Sequence, residues 1–249
     1  MLGTGTSQGV PVVGCQCEVC QSDDPRDHRL RTAAFVEVNG VNILIDAGPD
    51  LRQQLLNTHI TRVDGILLTH EHKDHLAGLD DIRPVFFMMR KSMDIYAMTR
   101  VLNVVRKDFD YAFMSHPYPG VPSFQLHPVK EEIIDVNGVE IQPVRVTHLT
   151  LPILGYRIGN FAYITDASAI APKEKQKLQN LDVLVLNALC IKKHYSHFNL
   201  EEALYVIDEL KPKRAYLTHV SHSMGLYDKA QALLPDNVFL GYDGLEIEC

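Results

Sequence analysis

Short apolar or alternating runs, each bounded by turn residues, recur along the chain and predict strands. They fall at Ala34–Val38, Val41–Asp46, Gly65–Thr69, Asp94–Ala97, Glu140–Thr147, Leu154–Ile158, Phe161–Thr165, Val183–Asn187, Arg214–Thr218 and Val238–Leu240. Asn39-Gly40, between the first two, is the signal of a two-residue type I′ hairpin. Helical spacing predicts Asp50–Thr58, Val101–Lys107, Pro172–Gln179, Leu200–Leu210 and Tyr227–Leu234. Asn199, followed by Leu200-Glu201-Glu202, is a capping residue ahead of an acidic first turn. Hairpins early in the chain and strand–helix alternation later predict a layered α/β (α+β) protein. Phe109–Pro128 breaks the pattern. Its four prolines, Pro117, Pro119, Pro122 and Pro128, stand among aromatics and predict a long ordered loop, either a lid or binding wall or a plain surface excursion.

Composition narrows the class. The 249 residues are 46% hydrophobic and 22% charged, a globular balance that excludes disordered and fibrous architectures. The length is roughly 1.7 times the ~150-residue prior for one domain, and with no Gly/Ser/Pro-rich linker a single composite domain over residues 1–249 is predicted. No apolar run approaches the ~18 residues of a membrane span, so no membrane association is expected. Met1–Pro11 carries no basic segment followed by an apolar core, so no signal peptide is read there and a cytoplasmic location is the expectation. The formal charge is −7, and the longest basic cluster is Lys211–Lys213–Arg214. That balance disfavours nucleic acid as the main partner. It leaves an anionic small molecule open, because bound metal ions invert a local field.

Two counts point to metal. The chain holds 12 histidines, and three of its 5 cysteines, Cys15, Cys17 and Cys20, lie within one short segment. Clustered cysteines without a secretion signal read as metal ligands rather than disulfides. Three thiolates would form three corners of a tetrahedral zinc site; the alternative is three reduced cysteines packed as small apolar residues. Three predicted strands also end alike, in Thr69-His70, Thr147-His148 and Thr218-His219, and two more end in Asp46 and Asp166. Side chains at strand ends project from a rigid sheet toward one edge, where sites are built. Imidazoles and carboxylates gathered there suit divalent first-row metals. In His70-Glu71-His72-Lys73-Asp74-His75, alternation places residues 70, 72 and 74 on one side of an extended turn, with His75 facing elsewhere. Four ligands split between two directions suit two neighbouring ions.

His70-x-His72-x-Asp74-His75, followed by His148, Asp166 and His219 in that order, resembles the metallo-β-lactamase superfamily of binuclear hydrolases over nearly the whole chain. The resemblance implies a four-layer αβ/βα sandwich with two divalent ions, Zn, Mn or Fe, at one edge of its sheets. By motif, His70, His72 and His148 would hold one ion, Asp74, His75 and His219 the other, and Asp166 would bridge them. Asp46, in Ile-Asp-Ala-Gly, matches the superfamily's structural aspartate, which orients the metal loop.

The opening Gly3-Thr4-Gly5-Thr6-Ser7-Gln8-Gly9-Val10-Pro11, the three cysteines and the closing Thr218-His219-Val220-Ser221-His222 look like the PhnP-type cyclic phosphodiesterases. That likeness implies that His222 completes a structural zinc site with Cys15, Cys17 and Cys20. It also marks His197, in Ser196-His197-Phe198-Asn199, as catalytic beside Asp74; the alternative for His197 is a polar residue at a helix entry. The chain departs from the family where it opens almost directly on the Leu2-Gly3-Thr4-Gly5 turn, without a full strand before it. The function implied is a phosphodiesterase acting on a small phosphate ester, cyclic ribose phosphates included. Metal-bound hydroxide would attack and His197 would give the leaving group its proton. The rival functions are a transfer-RNA 3′-processing nuclease, a thioesterase or lactonase, and a non-catalytic metal-binding accessory protein like the B protein of pyrroloquinoline quinone synthesis. A homodimer is common among similar proteins. Of the remaining histidines, His28, His59, His127 and His194 read as surface or core residues, and His116, beside Tyr118, as the one to test for substrate contact.

Overall fold

Side-chain alternation sorts each strand's residues onto two faces, and that sorting builds the layers. A computed structural model of the chain describes residues 1–116 and 120–249. Its first sheet comprises β1 (Ala34–Val38), β2 (Val41–Ile45), β3 (Gly65–Leu67), β4 (Met93–Ala97) and β5 (Phe124–Pro128), side by side in chain order. β1 and β2 are antiparallel and the others run parallel to β2. The second sheet comprises β6 (Ile134–Val136), β7 (Val139–His148), β8 (Leu151–Ile158), β9 (Phe161–Ile164), β10 (Val183–Asn187), β11 (Arg214–Thr218) and β12 (Val238–Leu240), also in chain order. It is antiparallel from β6 to β9 and parallel from β9 to β12.

On β10, Val183 and Val185 join the core between the sheets, whereas Leu184 and Leu186 join a second core on the outer face. Tyr163 of β9 and Tyr216 of β11 point inward in the same way, and Ala162, Ile164, Ala215 and Leu217 point outward. The outer core is closed by Ala203, Val206, Ile207 and Leu210 of a helix at Leu200–Leu210. Against the first sheet pack α1 (Leu51–Thr58), through Leu51 and Leu55, and a helix at Thr99–Asp108, through Val101, Leu102 and Val105. The result is the helix–sheet–sheet–helix sandwich that the resemblance implies, in a single domain. Among the described residues no helix is long and apolar enough to cross a membrane.

Asn39 and Gly40 both take positive φ, 52° and 75°, as a type I′ turn requires. Asn137 and Gly138 repeat the device, at 51° and 87°, between β6 and β7. Four expectations change. The predicted loop Phe109–Pro128 is partly regular, with a 3₁₀ turn at Asp110–Phe113 and β5 at Phe124–Pro128. β5 is an edge strand, where a terminal proline is tolerated; residues 117–119 lie outside the described residues. The expected extended turn after His70 is instead a short helix, α2 (Lys73–Leu76), followed by α3 (Arg83–Met89). The predicted helix Pro172–Gln179 is α5 (Pro172–Lys175) running into a 3₁₀ turn at Gln176–Leu178. In chain order α4 is then Thr99–Asp108, α6 is Leu200–Leu210 and α7 is Tyr227–Gln231, shorter than expected at its end. At the start of the chain, Leu2 and Gly3 donate to the Ala33 carbonyl, and Gly3 and Val10 make isolated bridges with Ala33 and Arg29.

α6 begins with a full capping box. The Asn199 side chain accepts from the Glu202 amide at 2.9 Å, and Glu202 Oε2 accepts from the Asn199 amide at 3.2 Å. Asn199 Nδ2 also donates to the Ile191 carbonyl. Asn199→Ala is expected to cost about 1–2 kcal/mol and to lower the melting temperature by roughly 2–8 °C, measured by calorimetry. An unchanged transition would show that the cap is not what holds this end of α6.

Candidate active site at the seam of the two sheets

Strand ends from both sheets meet at one edge. β2 delivers Asp46, β3 leads to Thr69 and His70, β7 ends on His148, β9 leads to Asp166 and β11 to His219. Three of these residues stand in the left-handed region, Asp46 at φ 64°, Asp166 at 59° and His219 at 55°. Asp and His are among the non-glycine residues that tolerate that region best. The turn swings each side chain off its strand and into the seam. The sheets are stitched there as well: the Leu154 amide donates to the Thr69 carbonyl at 3.1 Å, and the buried Tyr156 hydroxyl to the Leu68 carbonyl at 2.7 Å.

Three overlapping donor clusters result. His70, His72 and His148 form one, Asp74, His75, Asp166 and His219 a second, and His148, Asp166 and His197 a third that joins them; within each, the donor atoms lie within 4.8 Å of one another. The split differs from strict alternation, because α2 winds the chain after His72 and sends Asp74 to the same side as His75. That is the division the motif implies. Asp166 lies between the clusters, with Oδ2 3.9 Å from His70 Nε2 and Oδ1 3.3 Å from His75 Nε2 and 3.1 Å from His219 Nδ1.

The surroundings fix which nitrogen faces the seam. The Thr69 hydroxyl gives its one proton to Asp46 Oδ2 at 2.9 Å, so it can only accept from His70 Nδ1, also at 2.9 Å. His75 Nδ1 donates to Asp46 Oδ2 at 2.7 Å, and His148 Nδ1 donates to the Ser196 carbonyl at 2.7 Å. Nε2 of His70, His75 and His148 is thereby left to the site, the arrangement in which an imidazole ligates a metal. The Ala47 amide donates to the His75 carbonyl at 2.7 Å and the Gly78 amide to the Ala47 carbonyl at 2.9 Å. A Cβ on Gly48 would stand 2.0 Å from the Asp74 carbonyl oxygen, so that close approach requires glycine.

Among the described residues, buried His75 Nε2 and His219 Nδ1 have no hydrogen-bond partner, although carboxylate oxygens face them at 3.1–3.3 Å. Orphaned nitrogens converging with carboxylates are what a cation site requires. The field agrees. Burial pushes the Asp166 carboxyl up, but facing His219 and His75 and the His197 hydrogen bond hold it well below the ordinary carboxylate range. Burial lowers His75, yet Asp166, Asp46 and Asp74 together raise it well above the usual imidazole value. Burial lowers His219 to about 4, keeping it neutral and able to ligate. His197 Nε2 lies 3.2 Å from Asp166 Oδ2, its Nδ1 is 2.9 Å from the Ser196 hydroxyl, and its ring stacks on His219 at 5.0 Å.

A second donor set lies at the chain's opening loop. Cys15, Cys17 and Cys20 Sγ stand 3.3, 3.4 and 3.4 Å from one atom, His222 Nδ1. One imidazole N–H cannot serve three sulfurs. Tetrahedral zinc, with Zn–S of about 2.3 Å and Zn–N of about 2.0–2.1 Å, places S and N about 3.5 Å apart, so the four residues fit that ion. The Val12 and Cys20 amides donate to Cys20 and Cys17 Sγ. The Cys20 amide brings the Cys17 thiol down to about 6, while burial pushes Cys20 up to about 11.

A model of the beta-lactamase superfamily domain matches residues 41–220. The chain belongs to the beta-lactamase superfamily. Within it, a crystal structure described as a new diphosphatase from the PhnP family is similar at a TM-score of 0.93 and 38% identity, covering 100% of this chain and 96% of that one. Zn(2+)-bound PqqB from Methylobacterium extorquens shares the fold at a TM-score of 0.79 and 19% identity, over 100% of this chain and 98% of that one. The octanoyltransferase of Porphyromonas gingivalis (strain ATCC BAA-308 / W83) is 41% identical over 249 residues, 99% of this chain and 50% of that protein. The chain thus spans half the length of that curated relative. The superfamily fold and the His/Asp clusters together imply divalent metals.

Every metal-ligand candidate from the motif stands in a cluster. Reading by motif missed the supporting groups: the Thr69 hydroxyl, the Ser196 carbonyl, Gly48, and His194, whose Nδ1 is 3.4 Å from His197 Nδ1. Only the Thr-His repeat and the nearness of His194 in sequence signalled any of these. Beside the exposed His116, Tyr118 lies outside the described residues. Asp46→Ala is expected to weaken divalent-metal binding at the seam by about 10–100-fold while leaving the cysteine site loaded. Cys17→Ser should do the reverse, removing about one zinc per chain and lowering stability. Elemental analysis of both variants after dialysis checks the pair; metal loss from neither site would count against both assignments.

Proposed function

We propose that the protein is a metal-dependent hydrolase that cleaves a phosphodiester or diphosphate bond in a small molecule. Two divalent ions, Zn, Mn or Fe, would be held by His70, His72 and His148 on one side and by Asp74, His75 and His219 on the other. The observation that carries this reading is Asp166, buried between the two histidine clusters and within 3.1–3.9 Å of a ring nitrogen from each. The 38% identity to a PhnP-family diphosphatase supports phosphoryl chemistry in particular.

When bound, two such ions supply Lewis acidity, lowering the pKa of water and neutralising charge that builds on a phosphoryl group. The chain's own residues do the rest. Asp46, Thr69 and the Ser196 carbonyl hold the imidazoles in one tautomer, so the site does not reorganise as charge develops. His197 lies at the mouth, with 12% of its side chain exposed. In its imidazolium form both nitrogens find acceptors, Asp166 Oδ2 and Ser196 Oγ, which keeps a proton at Nε2 facing the seam. A leaving alkoxide or phosphate released there needs that proton, and an imidazole supplies it near neutral pH.

A second reading is an acyl or thioester hydrolase, favoured by the 41% identity to the Porphyromonas gingivalis octanoyltransferase over 99% of this chain and half of that protein. A panel of bis(p-nitrophenyl) phosphate, a cyclic ribose phosphate, a nucleoside diphosphate sugar, precursor transfer RNA and an octanoyl thioester separates the readings. Turnover confined to the phosphate substrates is the expected result; turnover confined to the thioester would overturn the first reading. His197→Ala is expected to lower kcat on the best phosphate substrate by about 10²–10⁴-fold with metal content unchanged. Loss of metal instead would make His197 a ligand rather than a proton donor.

A further inference from the structure

The segment between β10 and α6 carries His197 and forms a closed loop. The Leu189 amide donates to the Phe198 carbonyl at 2.9 Å and the Leu200 amide to the Cys190 carbonyl at 2.9 Å, which pins its base. The Cys190 thiol donates to the Lys192 carbonyl, and Asn199 Nδ2 to the Ile191 carbonyl, which pins its near side. At its tip stands Tyr195, 75% exposed. Tyr195 stacks on His194, with centroids 4.6 Å apart and planes 26° from parallel. His194 lies 5.4 Å from the His197 ring, and His197 in turn is 4.6 Å from the His148 ring. A file of rings therefore runs from the buried cluster outward and ends on an aromatic face open to solvent. Leu149 follows His148 directly, is 52% exposed and takes a left-handed φ of 56° on a turn pinned by Ser168 Oγ. A second exposed tyrosine, Tyr205 on α6, is 70% exposed but belongs to no such file.

We propose that Tyr195 is a specificity-determining platform on which a planar, aromatic part of the substrate stacks, with Leu149 as an apolar flank. The substrate is then a phosphate ester or diphosphate carrying a nucleobase-like ring, rather than a bare sugar phosphate. This rests on the phosphoryl-hydrolase reading for the position of the phosphate, and on the ring file alone for the position of the base. A ring already stacked on one face and held on a pinned loop loses little freedom on binding a second ring. Stacking of a base on such a side chain is worth about 1–3 kcal/mol, or roughly 5–150-fold in affinity.

The test is equilibrium binding to the metal-loaded protein, by calorimetry, of adenosine 5′-monophosphate, ribose 5-phosphate and adenosine. The nucleotide is expected to bind about 5–150-fold more tightly than the sugar phosphate. Tyr195→Ala should bring the two affinities together by weakening the nucleotide alone, and Tyr195→Phe should keep them apart. Equal binding of nucleotide and sugar phosphate to the unaltered protein, or a preference that survives Tyr195→Ala, overturns the platform and leaves the phosphoryl reading intact. Adenosine binding that depends on Tyr195, with no contribution from phosphate, upholds the platform and overturns the phosphoryl reading instead.

Discussion

Asp46 is fully buried, and its two carboxylate oxygens accept three hydrogen bonds: from the Thr69 amide at 2.8 Å, the Thr69 hydroxyl at 2.9 Å and His75 Nδ1 at 2.7 Å. A carboxylate without partners in that position would cost several kcal/mol and would protonate instead. Burial does push its carboxyl upward; His75 and the Thr69 donors oppose that shift. The three partners come from two places on the metal loop, the exit of β3 and helix α2. Satisfying one buried charge at the end of β2 therefore fixes the positions of His70 and His75 together, and with them the nitrogen each presents. The rest of the seam is arranged around groups whose freedom this carboxylate has removed.

The same economy joins the sheets. Leu68 and Thr69 receive hydrogen bonds from the Tyr156 hydroxyl and the Leu154 amide of β8, so the segment leaving β3 is registered against the second sheet by one side-chain and one backbone contact. His148 and Asp166 come from that second sheet. Their distances to His70 and His75 therefore depend on sheet packing, which is set by the core between the sheets, with Ile43, Tyr156, Tyr163 and Val185 in it. Left-handed turns at Asp46, Asp166 and His219 cost roughly 1–2 kcal/mol each for ordinary L-residues. They are retained where a strand must end abruptly and its next side chain must leave the sheet plane.

Local signals were readable in the chain; signals that depend on tertiary contact were not. His70-x-His72-x-Asp74-His75 and the Thr-His strand ends are contiguous, so their grouping could be inferred before any fold was known. Helix α2 could not, because four residues are too few for periodicity, and alternation wrongly grouped Asp74 with His70 and His72. β5 was obscured by proline-rich surroundings, although an edge position tolerates them. β6 was legible and overlooked: Asn137-Gly138 is the same turn signal as Asn39-Gly40. Gly48 stands in the Ile-Asp-Ala-Gly motif, but neither pattern nor spacing gives its role, and the Ser196 carbonyl left no trace. Their roles arise from which backbone atoms the fold brings against them.

The cysteine cluster lies away from the seam but acts on the same segment. His222, held among three sulfurs, is three residues beyond His219. Between them the Val220 amide donates to the Thr4 carbonyl, and the Thr6 amide donates to the Val220 carbonyl. Thr6 Oγ1 then sits 3.4 Å from His219 Nε2. The opening loop and the closing ligand are thus one unit, anchored on one side by the thiols and on the other by β11. His219 is in the left-handed region, and its ring is held by Thr6 Oγ1 at Nε2, by Asp166 Oδ1 3.1 Å from Nδ1 and by stacking on His197 at 5.0 Å. The cysteine cluster therefore braces the opening loop against the segment that carries His219, so the two donor sets share one stretch of backbone while each is built from its own side chains.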